Sequence, residues 1–157
     1  MLGDGDGWVY GAHGAKYWGR YGAAGLFLQA GEHVLMQHRA TWTAQGGTWG
    51  IPGGARDSHE TATDAALREC VEECGIDTAL VECYSELVTT EKPGWTYTTV
   101  FARTVTGEAI AVTPNEESAE LRWVHIDQLV ELPLHPGFAS ALQTVLTHAV
   151  GHTHLHD

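Results

Sequence analysis

The chain predicts an α/β fold, a three-layer α/β/α sandwich around a mixed sheet. Three observations point there: strand-like runs on both sides of a central helix, one long run dense in Thr, Tyr, Val and Phe, and a second amphipathic helix near the C terminus. In chain order, Ala23 to Gln29 and His33 to Arg39 are apolar runs joined at Ala30-Gly31, the pattern of a β-hairpin. Trp49 to Gly54 reads as an apolar pair running into a Pro-Gly-Gly turn, whose backbone carbonyls can lie close to the helix that follows. That helix is predicted over Thr61 to Cys74. Thr61 and Asp64 have the spacing of a capping box, and Gly75 stands where a left-handed residue ends a helix. Leu87 to Thr90 is set to pair with Trp95 to Val105, the clearest strand, through a Lys92-Pro93-Gly94 turn. Leu121 to Ile126 is a further strand and Asp127 to Val130 a helical turn. Over Gly137 to Val150, the spacing of Phe138, Leu142, Val145, Leu146 and Ala149 predicts an amphipathic helix. No internal repeat is visible.

A length of 157 residues predicts one domain, able to bury roughly 68–70% of its unfolded surface. We expect a Gly- and aromatic-rich N-terminal segment at 1–22, the main domain at 23–150 and a His-rich tail at 151–157. A formal net charge of −12 with only 8 Lys and Arg argues against a nucleic-acid partner, because phosphate contacts need clustered basic side chains. No apolar run approaches the roughly 20 residues of a membrane helix. Met1 to Asp6 also lacks the basic and apolar regions of a signal peptide, so a cytoplasmic protein with no membrane partner is expected. Cys70, Cys74 and Cys83 are an odd number, two of them on the side of the helix expected to be buried. A reducing compartment follows better than a disulfide framework, with a zinc site as the alternative.

The central helix carries the clue to chemistry. Glu69, Glu72 and Glu73 fall at spacings that share one helix face, with Leu67, Cys70, Val71 and Cys74 predicted on the opposite, buried face. At an effective dielectric near 20, each carboxylate pair would repel by about 3 kcal/mol, and a divalent cation would cancel that repulsion. Helix carboxylates plus a loop carbonyl form an all-oxygen ligand set, which suits Mg²⁺ or Mn²⁺.

Gly54, Glu60, Arg68, Glu69, Glu72, Glu73, Gly75 and Ile76 fit, in order and spacing, a known signature. It runs Gly, five residues, Glu, seven residues, Arg-Glu, a bulky apolar residue, one residue, Glu-Glu, one residue, Gly and an apolar residue. By this motif the chain resembles the Nudix hydrolases. Cys70 replaces the usual Val, Leu or Ile, and a free cysteine behaves as a small hydrophobe. The resemblance extends over about Ala23 to Leu146.

It implies the sandwich fold and hydrolysis of a nucleoside diphosphate linked to another group, with water attacking phosphorus and Mg²⁺, or Mn²⁺, assisting. It further implies that Glu69, Glu72 and Glu73 are metal ligands or water-activating groups, that the Gly53 carbonyl is another ligand, that Arg68 orients the carboxylates, and that Glu60 supports the start of the helix. Relatives commonly add an acid from a later loop as ligand or general base. Glu117 is the first choice here and Glu120 the second, with solvation of a turn as the rival reading for either. The anionic substrate and this acidic chain would repel without cations.

Other features are weighed beside that motif. Arg39 ends a strand near the Pro-Gly-Gly loop and suits a substrate phosphate, with a surface salt bridge as rival. Trp42, Trp95 and Tyr97 could stack on a base, or serve as core or rim. Asp4-Gly5-Asp6-Gly7 lacks the further acids of a calcium loop. Trp8, Tyr10, Tyr17, Trp18 and Tyr21 are expected to pack on the sheet, with covering a nucleobase or a dimer contact as alternatives. His135 is expected to fix the turn before the last helix. His152, His154 and His156 form a tail expected to be disordered, with adventitious metal binding as an alternative. Oxidised or ordinary nucleoside triphosphates, nucleotide sugars, ADP-ribose and dinucleoside polyphosphates are all admissible substrates, and a homodimer is admissible. A nucleotide-binding sensor of the same fold that no longer hydrolyses is the competing function.

Overall fold

The computed structural model describes residues 3–11, 15–41 and 46–154. Its elements are β1 (Trp8–Tyr10), β2 (Lys16–Trp18), β3 (Ala23–Ala30), β4 (His33–Arg39), β5 (Trp49–Gly50), β6 (Gly53–Ala55), α1 (Ala62–Cys74), β7 (Val81–Lys92), β8 (Trp95–Thr104), β9 (Ser118–His125) and α2 (Pro136–His154), with 3₁₀ turns at Thr78–Leu80 and Ile126–Glu131. The main sheet is mixed. Its path runs β5-β4-β3-β8-β7, with β6 added to β3 and β9 to β4. β3 and β8 pair in parallel from Ala23↔Tyr97 to Gln29↔Arg103, and the neighbouring pairs are antiparallel.

Side-chain alternation along β3 and β8 builds the two flanking layers. Leu26, Leu28, Val100 and Ala102 point to one face, where Ala65, Ala66, Cys70 and Cys74 of α1 cover them. Phe27 and Phe101 point to the other, beneath Phe138, Leu142, Val145 and Ala149 of α2. Both faces of these strands are buried, which explains their near-continuous apolar runs. Each fully buried Phe or Leu stabilises the fold by about 1.5–3 kcal/mol relative to exposure. The expected three-layer sandwich is the fold observed.

β3 pairs with β4 only at its C-terminal end, Gln29↔Val34 and Ala30↔His33. Toward its start β4 has moved away, and β6 fills the place with Ala23↔Ala55, Ala24↔Gly54 and Gly25↔Gly53. The Pro-Gly-Gly run is therefore a strand wedged into a split sheet. Its glycines are required by that wedge: a Cβ on Gly53 would sit 2.6 Å from the Gly25 Cα and overlap the Ala24 carbonyl.

Three elements depart from expectation. β7 is far longer than Leu87 to Thr90, because ten register pairs with β8 hold a half-exposed strand that carries Glu82, Glu86 and Glu91. β1 and β2 form a small separate hairpin, Trp8↔Trp18 to Tyr10↔Lys16, and Trp8, Tyr10, Trp18 and Tyr21 are exposed, so most of these aromatics do not pack on the sheet as expected; Tyr17 is the one that reaches it. Tyr17 stacks on Trp95 at 5.0 Å, and the Trp95 indole N–H donates to the Trp18 carbonyl at 3.1 Å. Trp95 is thus engaged by the hairpin, as the rim reading allowed. Last, α2 continues to His154, so residues 151–154 of the supposed disordered tail are helical. Trp42 and His156 lie outside the described residues.

Candidate active site

α1 is held at both ends by the signals visible in its sequence. The Thr61 hydroxyl accepts from Asp64 N–H at 3.1 Å, the Asp64 carboxylate accepts from Thr61 N–H at 3.4 Å, and Gly75 closes the helix at φ 64°. The three glutamates are not equally exposed, which corrects the expected open patch. The Glu72 side chain is 57% exposed and Glu69 15%, while Glu73 is buried at 5%. Val71, expected inside, is 41% exposed. The helix is rotated because Gly53 and Gly54 of β6 carry no side chains: Gly53 N–H donates to Glu73 Oε2 at 3.0 Å. At Gly54, a Cβ would lie 2.7 Å from the Glu69 Cδ. The paired glycines form a cradle that two carboxylates fill.

Arg68 organises the outer side of this cluster. Its Nε and Nη2 donate to the two Glu60 oxygens at 2.7 and 2.9 Å, a fork-to-fork pair. Nη1 donates to Glu69 Oε1 at 3.0 Å and lies 3.5 Å from Glu72, and Nη2 also reaches the Ala55 carbonyl at 3.0 Å. Glu60 in turn accepts from Asp57 N–H at 2.9 Å.

Burial dominates the titration of the inner acids. It pushes the Glu69 carboxyl up to about 7 despite the opposing pull of Arg68, with Glu72 and Asp6 adding to the rise. Glu73 is held well above the ordinary carboxyl range, first by burial and then by Glu69, with Gly53 N–H opposing and the Glu117 charge contributing. Glu60 is the contrast: its hydrogen bond to Arg68 lowers it.

The later loop is stitched to the end of α1. Thr113 N–H donates to the Cys74 carbonyl at 2.7 Å and Asn115 N–H to the Glu73 carbonyl at 3.2 Å. The loop thereby brings Glu117 within electrostatic reach of Glu73. The Glu120 carboxylate is taken by Arg122, at 2.9 to 3.1 Å, so the second-choice acid is a salt-bridge partner. Arg39 lies within electrostatic reach of Tyr97 and His135, and Tyr97 within reach of Glu73 and Glu69. The Tyr97 ring stands on the α2 face and its hydroxyl lies directly over Gly25, where any Cβ would overlap it. His135 Nδ1 accepts from Gly137 N–H at 3.0 Å, and its carbonyl accepts from Ala139 N–H at 2.8 Å, so it fixes the start of α2 as expected.

The family model of the NUDIX domain matches residues 19–145. The chain belongs to the Nudix family. A Mycobacterium tuberculosis protein named "Putative 8-oxo-dGTP diphosphatase 3" is 54% identical over 94% of this chain and 71% of its own length. A Nudix hydrolase from M. smegmatis, RenU, is 48% identical in its crystal structure, with a TM-score of 0.89 over 94% of this chain and 96% of that one. A Caenorhabditis elegans Ap4A hydrolase, 19% identical with a TM-score of 0.65 over 82% of this chain and 98% of its own, shares the fold. The protein is a Nudix hydrolase acting on phosphoanhydride bonds.

Among the described residues of this Nudix chain, the one set of three metal-capable side chains whose ligand atoms all lie within 4.8 Å is Asp57, His59 and Glu60; Glu69, Glu72 and Glu73 are not drawn together that closely. The carboxylates of the closer set are already used, Glu60 by Arg68 and Asp57 by Gly5 N–H at 2.9 Å. Sequence reasoning passed over Asp57, whose Asp-Ser-His setting between strand and helix reads only as a turn. Cys70 and Cys74 are buried free thiols, one helical turn apart; their mutual hydrogen bonding and burial push the Cys70 thiol up.

Proposed function

We propose that this Nudix hydrolase is a Mg²⁺-dependent pyrophosphohydrolase that cleaves nucleoside triphosphates by attack of water at phosphorus, with oxidised purine triphosphates such as 8-oxo-dGTP the first substrates to test. One observation carries the reading: Glu69 and Glu73 are crowded into a glycine cradle where their negative charges oppose each other and burial opposes both. Hard oxygen donors in that state fit a small divalent cation. Glu69, Glu72 and Glu73, the Gly53 carbonyl and Glu117 are the residues that would hold it, with Mn²⁺ as a substitute. When bound, the ion neutralises the pyrophosphate and acidifies the attacking water.

The chain's own residues do the rest. Arg68 fixes Glu69 in orientation while Glu60 and the Ala55 carbonyl fix Arg68. Arg39, within electrostatic reach of Tyr97, would pair with a substrate phosphate. Glu117 is the loop acid that serves as ligand or base, since Glu120 is spent on Arg122. The choice of oxidised purine triphosphates is supported by the name of the 54% identical M. tuberculosis relative. The three free thiols and the lack, among the described residues, of any helix able to cross a membrane accord with a cytoplasmic setting.

A panel assay with Mg²⁺ tests this reading. It would include 8-oxo-dGTP, dGTP, ADP-ribose, a nucleotide sugar and a dinucleoside polyphosphate, with products resolved by chromatography. Triphosphates should yield monophosphate and pyrophosphate, fastest for the oxidised purine. Binding of nucleotides with no product from any of them would instead establish the sensor.

The raised acids also predict how the ion and pH interact. A carboxyl held near 7 in the folded chain ionises near 4.5 when unfolded, so the native state binds more protons between those values. Without divalent ions, stability should therefore fall as pH rises from about 4.5 through 7, by on the order of 3 kcal/mol for Glu69. Mg²⁺ competes with those protons. The rise in Tm on adding Mg²⁺, followed by calorimetry, should be larger at pH 8 than at pH 6; an equal or smaller rise at pH 8 counts against the carboxylate ligands.

A further inference from the structure

The Asp4-Gly5-Asp6-Gly7 run, which fails as a calcium loop, is laid against the segment that introduces α1. The Asp4 carboxylate accepts from Ser58 N–H at 2.8 Å and from the Ser58 hydroxyl. Gly5 N–H donates to Asp57 Oδ1 at 2.9 Å, a buried bond. On its other side the run is pinned to the lead-in of β3: Gly19 N–H donates to the Gly7 carbonyl and Arg20 N–H to the Gly5 carbonyl, both at 2.7 Å. Its glycines are explained by close approach. A Cβ on Gly3 would overlap the Asp57 carboxylate, one on Gly5 would overlap the Arg56 carbonyl oxygen, and one on Gly7 would meet the Arg20 guanidinium at 3.1 Å.

From there a continuous set of hydrogen bonds leads to the acids. Asp57 N–H holds Glu60, Glu60 holds Arg68 through both oxygens, and Arg68 holds Glu69. We propose that the strap Gly3–Gly7 is a positioning element of the active site: by fixing Asp57 and Ser58, it sets the Glu60–Arg68 pair and so the placement of the Glu69 carboxylate for the divalent ion. Asp4 and Gly5 are its positioning residues, acting from outside the cluster. This rests on the metal-dependent reading above.

The test uses the full chain with Mn²⁺ as probe. Free Mn²⁺ is followed by electron paramagnetic resonance, alongside kcat, KM and Tm. Gly5→Ala forces the strap off the Arg56 carbonyl and so disturbs its N–H bond to Asp57 without replacing any carboxylate residue, and Asp4→Ala removes the Ser58 acceptor. Both should weaken Mn²⁺ binding by about tenfold, the low end of what groups supporting metal ligands are worth. Asp4→Asn keeps an acceptor oxygen and should fall between Asp4→Ala and wild type. The KM for nucleotide at saturating ion should not change. Variants that bind Mn²⁺ as wild type does, or that lose it only in proportion to a general loss of folded protein by Tm, overturn the strap and leave the proposed function standing. A wild type that takes up no Mn²⁺ overturns both.

Discussion

Glu73→Gln is expected to lower kcat by about a thousandfold, equivalent to about 4 kcal/mol of barrier, while leaving the fold intact. The expectation comes from the two roles of this side chain. The glutamine carbonyl can accept from Gly53 N–H as the carboxylate does, so the contact between α1 and β6 survives. The negative charge does not survive, and it is the charge that burial and Glu69 make costly and that a divalent ion would relieve. The same logic gives a second readout from one sample. Without divalent ions at pH 8, the variant should melt at or above the wild-type temperature, because burying a neutral amide in that cradle costs less than burying a charge. A variant that hydrolyses nucleotides at the wild-type rate removes Glu73 from the chemistry.

Arg68→Met should be the most damaging change to stability in the site. It leaves Glu60 and Glu69 facing each other's surroundings with no guanidinium, and removing one side of a buried pair is strongly destabilising. With Arg68 still 32% exposed, the low end applies, about 3 kcal/mol against a total of roughly 5–15 kcal/mol for a domain. Denaturant midpoints at pH 7.5 would show it. Arg68→Lys should not restore the loss, since one ammonium cannot hold both Glu60 oxygens and Glu69 together. The pH dependence has a definite sign. Glu60 is depressed in the native protein by Arg68, so its stabilising contribution is present above its ordinary value of 4.5 and is lost as pH falls through the depressed one. The gap between wild type and Arg68→Met should therefore narrow in acid; a gap independent of pH would mean that packing, not charge, is what Arg68 supplies.

What the sequence disclosed divides along the range of the interactions involved. α1 was legible because its signals are local: a capping box, a left-handed glycine and the Nudix spacing all lie within the element. The rotation of α1 was not, since it is set by glycines on another strand that let Glu73 in and leave Val71 out. β7 reads poorly alone, as its burial alternates only partly and its order comes from β8. Among the loop acids, nothing near Glu120 marks it as a partner of Arg122 rather than a base, because both readings suit an acid two residues from an arginine in a strand. The strap at Gly3–Gly7 shows the limit most clearly. Its glycines and aspartates look like a cation loop, and only the tertiary position of Asp57 and Ser58 reveals a different use.

At Gly25 and Gly53 the missing side chains let neighbouring groups in: the Tyr97 hydroxyl lies over Gly25, and the Ala24 carbonyl and the Gly25 Cα lie against Gly53. At this point of the sheet Tyr97, on the α2 side, is within electrostatic reach of Glu73 and Glu69 on the α1 side. The acids proposed to act on the phosphoanhydride and the Tyr97 ring thus lie on opposite faces of one sheet, close to Gly25. A side chain at Gly25 would displace the Tyr97 hydroxyl, so the two faces of the sheet meet here only while that position stays glycine.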